Sequence, residues 1–77
     1  MALHNDMYYY NIIRKNIKKY RKEKGLTQQK LSDMAEISID YLAEIESEKR
    51  AKTFSIAVLG RIADALEIDI KELFNKE

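Results

Sequence analysis

Few residues in this chain are of a type and spacing that could carry out a covalent reaction. The single histidine, His4, stands in a terminal segment with no partner at metal-ligand spacing. There is no cysteine, so the chain has no thiolate nucleophile, thiolate zinc site or disulfide. No nucleophile has a base beside it, and no glycine-rich phosphate loop is present. Enzyme activity, a bound metal and a cofactor are therefore not expected. What the sequence offers instead is placed charge. Net charge is only +1, yet residues 1–30 carry eight Lys or Arg against two acids, and residues 31–77 carry six against eleven. The basic excess lies at Arg14, Lys15, Lys18, Lys19, Lys22 and Lys24, with a smaller group at Lys49, Arg50 and Lys52. A run like the first is commonly a solvated helix face. The second follows a short helical pattern at once, where cations can hold a sugar-phosphate backbone without reading its sequence.

The elements that must position these charges are helices. In LTQQKLSDMAEISIDYLAEIE, from Leu26 to Glu46, the apolar positions Leu31, Ala35, Ile37, Leu42 and Ile45 suit two short packed helices joined by a tight turn. Thr27, Ser38, Ser55 and Asp69 stand where N-caps belong. Each is framed by an apolar pair at hydrophobic-staple spacing: Leu26 with Leu31, Ile37 with Leu42, Phe54 with Leu59, and Ile68 with Leu73. Asp69 and Glu72 add a capping-box arrangement. Ile13, Ile17 and Tyr20 form a stripe that Gly25 can end as a left-handed cap, and Tyr9 and Tyr10 continue that stripe toward the N-terminus. The pattern predicts helices at roughly 10–24, 28–35, 39–46, 56–66 and 70–75, an all-α, compact five-helix bundle. Residues 1–9 are expected to be an N-terminal extension, partly disordered or lengthening the first helix, and 10–77 a single domain. No run approaches membrane-spanning length and MALHNDM lacks a signal-peptide pattern, so a cytoplasmic protein without membrane contact is expected.

A helix pair of this length is the right size to set one helix into a DNA major groove. The same apolar pattern equally fits two core helices of a small bundle without a ligand.

The stretch from Ile17 to Phe74, about three quarters of the chain, resembles the helix-turn-helix domain of the Xre/Cro group, which includes the phage repressors. IKKYRKEKGLTQQKLS, ISIDYLAEIE and IADALEIDIKELF carry the likeness. Arg21, Gly25-Leu26-Thr27-Gln28, Leu31, Glu46 and the closing Ala63, Leu66, Ile68, Leu73 and Phe74 fall in register. The resemblance implies a structural ion pair between Arg21 and Glu46. It implies phosphate contacts from Thr27 and Gln28, at a helix N-terminus whose amides and dipole suit an anion. Tyr41, Lys49, Arg50 and Lys52 are expected to join them. Base readout falls to Ser38, Ile39, Asp40 and Glu44: Ile39 could touch a thymine methyl, and Asp40 or Glu44 could accept from cytosine N4. The implied partner is double-stranded DNA, and no small-molecule ligand is expected.

The chain departs from the group in several places. Glu36 and Glu48 stand where glycine is common, and the linker 47–54 is about two residues longer. Helix 3 carries Asp40, Glu44 and Glu46 with no Lys or Arg. That acidic helix keeps a second class of function open, a protein-interaction module (antitoxin-like or adaptor) using helix 3 or helix 5. The first class is a sequence-specific transcriptional regulator, expected to be a repressor that binds a palindromic operator as a homodimer. Pairing would occupy two half-sites about 34 Å apart. Leu73 belongs to a staple, which leaves Ile70 and Phe74 as the candidate dimer interface unless all three close the core.

Overall fold

The chain turns a corner at Gly25–Leu26, at Glu36–Ile37 and at Glu67–Ile68, and all three corners share one construction. Our computed structural model describes residues 3–76. Within it α1 spans Tyr8–Glu23, α2 Gln28–Ala35, α3 Ile39–Glu46 and α4 Ile56–Leu66, followed by a 3₁₀ turn at Ile70–Phe74. At each corner a residue with positive φ ends the helix: Gly25 at 72°, Glu36 at 59° and Glu67 at 59°. The next amide then reaches back five residues, Leu26 to the Arg21 carbonyl (3.0 Å), Ile37 to Ser32 (3.0 Å) and Ile68 to Ala63 (3.1 Å). These are Schellman closures, which satisfy carbonyls that a helix end leaves orphaned. Leu26, Ile37 and Ile68 thus close one helix as the first member of the next helix's staple. The caps behind them hold as expected: Thr27, Ser38, Ser55 and Asp69 accept from the amides of Lys30, Tyr41, Val58 and Lys71.

Two of those corners use glutamate in the left-handed region. At Glu36 the turn common to the group is kept without its glycine, a strain of about 1 kcal/mol. Glu48, the other glycine replacement, does not have positive φ; the lengthened loop places its left-handed residue at Ala51, φ 49°.

The expectation of five α-helices is corrected to four and a 3₁₀ turn, and among the described residues there is no strand. Five residues cannot propagate an α-helical ladder once both ends are claimed. The Asp69 side chain takes the Lys71 amide, the Glu72 amide bonds the Asp69 carbonyl three residues back, and the Glu72 carboxylate turns to Asn75 Nδ2 (3.0 Å). On the other side, Asn16 Nδ2 donates to the carbonyls of Leu73 (2.7 Å) and Asn75 (2.8 Å).

Ile13 and Ile17 of α1, Leu31 and Ala35 of α2, Leu42 and Ile45 of α3, and Leu59, Ile62, Ala63 and Leu66 of α4 form the core with Phe54 and Leu73. α2 packs on α3 and α4, while α1 packs on α3, α4 and the 3₁₀ turn. Tyr10 meets Phe54 edge to face at 4.9 Å, but Tyr9 leaves the stripe for solvent. His4 stacks on Tyr8 with centroids 3.6 Å apart.

One member of the basic run has a different fate. Arg14 is fully buried. Its Nη1 donates to the Ile45 carbonyl (2.7 Å), Nη2 to the Lys52 carbonyl (2.8 Å) and Nε to Asn11 Oδ1 (3.0 Å), with the Phe54 ring beside it. Burial draws its pKa below the usual guanidinium value, and the Glu48 carboxylate opposes that shift.

Replacing Arg14 with methionine keeps the stem but leaves buried carbonyls unpaired. Denaturant unfolding should show a loss on the order of 3 kcal/mol; wild-type stability in Arg14→Met would contradict the role given to these bonds. Glu36→Gly should instead gain up to about 1 kcal/mol by relieving the left-handed strain, and a destabilised variant would show that the glutamate side chain matters more.

Candidate nucleic-acid interface

Helix α3 has only eight residues, so its direction is set by what holds its ends. Ser38 caps the start, its hydroxyl accepting from the Tyr41 amide at 3.0 Å. The far end is held from α1. Arg21 meets Glu46 side-on, Nε to Oε2 at 2.8 Å and Nη2 to Oε1 at 3.0 Å, and its Nη1 donates to the Leu26 carbonyl at 2.9 Å. Both charged groups are buried, where a bidentate guanidinium–carboxylate pair fixes geometry as well as distance. Gln28 Nε2 donates to the same carboxylate at 3.1 Å, which ties the start of α2 to the end of α3. Arg14 takes the Ile45 carbonyl in the last turn of α3. Seven residues separate Arg14 from Arg21, about two turns, so one face of α1 holds both.

With its ends held, α3 turns Ser38, Ile39 and Asp40 to solvent, with Ala43 and Glu44 half-exposed beside them. Tyr41 is half-buried and packs on the core cluster. At the start of α2, Thr27 is exposed but its hydroxyl is occupied as the cap, and the Gln28 side chain is held by Glu46. What these two positions present outward is therefore backbone amide and helix dipole more than free side chains.

Cations frame this face on two sides. In the loop after α3, Lys49, Arg50 and Lys52 are exposed. Arg50 Nη1 lies 3.5 Å and Lys52 Nζ 3.3 Å from the two oxygens of Glu44, and Lys52 Nζ stands 5.8 Å from the Tyr41 ring centre. On the other side, Lys15 and Lys18 of α1 share an open groove with Gln28, Ala43, Ser47 and Lys49 and with two carboxylates, Glu46 (held by Arg21) and Glu48. In the sequence these two lysines are indistinguishable from buried Arg14, since all three belong to one basic run. Asn16, equally unmarked there, is the residue that docks the C-terminal turn. The seven-residue spacing of Arg14 and Arg21 beside Ile13 and Ile17 was the available signal.

The remaining candidates lie apart from this face. Ile70 is half-buried against the core and Leu73 fully buried, while Phe74 is 41% exposed. Phe74 borders an apolar groove with Tyr9, Tyr10, Phe54, Ile56 and Leu59, in which Ile56 is 68% and Tyr9 56% exposed. Those residues come from the first turns of α1 and α4, the loop before α4 and the 3₁₀ turn, none from α2 or α3. Among the described residues no group of His, Asp or Glu could hold a metal ion, and no helix is long and apolar enough to cross a membrane.

Known proteins share both pattern and geometry. A family model described as "Helix-turn-helix domain" matches residues 15–77. The HTH-type transcriptional regulator SinR of Bacillus licheniformis is 32% identical over 66 residues, covering 86% of this chain and 59% of its own length. This chain therefore spans rather more than half of that relative. The restriction-modification controller protein C.AhdI of Aeromonas hydrophila superposes with a TM-score of 0.77 at 25% identity, over 84% of this chain and 96% of its own. An HTH_3 family transcriptional regulator from Vibrio cholerae gives 0.82 at 27% identity, over 91% of this chain and 38% of its own. With the family model matched over most of its length, and α2 and α3 forming the helix pair at its centre, the chain belongs to the Xre/Cro-type helix-turn-helix family.

Proposed function

We propose that this chain is a DNA-binding transcriptional regulator, a repressor that binds a palindromic operator as a homodimer with α3 in the major groove. The observation that carries the reading is the framing of α3. It is an eight-residue helix, about 12 Å long, tied at its far end by Arg14 and Arg21 and free on its outer face. The start of α2 and the cations Lys15, Lys18, Lys49, Arg50 and Lys52 flank that face. Ile39, Asp40 and Glu44 would meet base edges, with Ser38 at the groove mouth; the amides of Thr27 and Gln28, the Tyr41 hydroxyl and the flanking cations would meet phosphates. SinR and the Vibrio protein are transcriptional regulators by name and C.AhdI a restriction-modification controller, which supports the same class.

The acidic outer face of α3 favours one competing reading, a protein-interaction module of the same fold. Selection from random duplex DNA at two salt concentrations separates them. Enrichment of a half-site repeated with two-fold symmetry is expected. Lys49→Ala should weaken binding to every sequence alike and lower the salt slope by about one. Ile39→Ala and Asp40→Ala should leave the fold intact and each relax one operator position by roughly 1–3 kcal/mol. Unchanged discrimination in the double variant would remove α3 as the reader and favour the interaction module.

For the homodimer, of the expected pair Ile70 and Phe74 the proposed interface keeps exposed Phe74, leaves out half-buried Ile70, and adds Ile56 and Tyr9. An apolar patch on the side away from α2 and α3 leaves both recognition helices of a two-fold pair free to face DNA. Ile56→Glu, at a position that buries little, should yield a folded monomer with much weaker operator binding. Sedimentation of the wild type as a monomer at high micromolar concentration would sink the homodimer.

A further inference from the structure

Glu44 is an odd choice for a helix that enters a polyanion, and its surroundings explain it. Its two carboxylate oxygens are each taken by a different cation of the following loop, Lys52 at 3.3 Å and Arg50 at 3.5 Å. The loop is arranged for this. Ala51 sits in the left-handed region between the two, and the Lys52 carbonyl is fastened to buried Arg14, so the backbone is fixed while both charged ends stay in solvent. Lys49, one residue before them, makes no such pair among the described residues, and neither does Asp40 one turn earlier on the same face of α3.

We propose that Glu44 is a specificity residue that holds Arg50 and Lys52 back from the phosphates of non-cognate DNA. The inference rests on the DNA-binding reading above. Ion pairs exposed to water are weak and exchange readily, so a phosphate can compete for both cations. On an arbitrary sequence that exchange leaves the carboxylate in the groove among acceptors and phosphates, without a partner. At a base pair offering an amino donor, such as cytosine N4, the carboxylate is satisfied as the cations move to the backbone. The cost of breaking the two pairs falls on every sequence, and only the cognate one returns it. Affinity for non-cognate sequences is thereby lowered and discrimination raised.

The test is a double-variant cycle on the intact chain, with two probes: a random-sequence duplex pool and the duplex that the wild type selects. Glu44→Gln should bind the random pool roughly fivefold more tightly, and its preference for the selected duplex should fall roughly tenfold. Asp64→Asn, the same change in net charge at an exposed position of α4 outside the proposed interface, should alter random-pool affinity less than about twofold. Lys52→Ala and Arg50→Ala should cost more random-pool affinity in the Glu44→Gln background than in the wild type, whereas Lys49→Ala should cost the same in both. Additive cycles, or equal gains from Glu44→Gln and Asp64→Asn, would overturn the proposal while leaving DNA binding intact. A wild type and variants that all ignore duplex DNA would overturn the DNA-binding reading itself, and this inference with it.

Discussion

Two guanidinium groups on one face of α1 decide where α3 lies. Arg14 takes the carbonyls at the end of α3 and in the loop beyond it, and Arg21 takes the Glu46 carboxylate. A helix of two turns has little stability of its own, because nucleation is costly and few hydrogen bonds repay it. Its apolar face, Leu42 and Ile45, fixes it to the core but leaves rotation and tilt to be set. Directional bonds to two donors spaced along a longer helix set both. The buried location makes the arrangement strict: a half-removed pair or an unsatisfied carbonyl in a dry interior costs several times what the intact contact contributes net. Gln28 extends the same network to the start of α2, so the two ends that would approach a phosphate backbone are fixed relative to each other.

The charges outside this buried frame obey different rules. Lys15, Lys18, Lys49, Arg50 and Lys52 stand in water, where their pairings are screened and exchangeable. That contrast divides the molecule's cations by burial: the arginines that build the structure are inside, and those available to a ligand are at the surface. The acidic face of α3 belongs to the second group, since Glu44 is already answered by its own loop. A net charge near zero therefore conceals a local field that depends on which of these pairs is closed.

Much of the fold is legible from the residues because its rules are local. The caps at Thr27, Ser38, Ser55 and Asp69 act over two or three positions and all appear where spacing puts them, and the apolar residues that flank them all join the core or pack against it. The Arg21–Glu46 contact was legible only through the family likeness, since nothing local links residues 25 positions apart. Arg14 was hidden among lysines for the same reason: the carbonyls that bury it belong to residues 45 and 52. The C-terminal segment read as an α-helix because one turn of apolar spacing does not separate α from 3₁₀ geometry; Asn16, from far away, does. Glu36 shows tertiary context overriding a residue's own preference, and Ala51 shows an insertion moving a left-handed position rather than removing it. Ile56 could not be recognised as an exposed apolar residue, because the first position of a helix carries no facing information until its neighbours are placed.

The face framed by Arg14 and Arg21 is the one proposed to meet DNA. Amide chemical-shift mapping during titration with the selected duplex tests it most directly. Shifts are expected at residues 27–30, 38–44 and 49–52, with smaller ones at Lys15 and Lys18, and quiet resonances for Asn16 and the 3₁₀ turn. Shifts gathered at Tyr9, Ile56 and Phe74, with α3 unmoved, would contradict it.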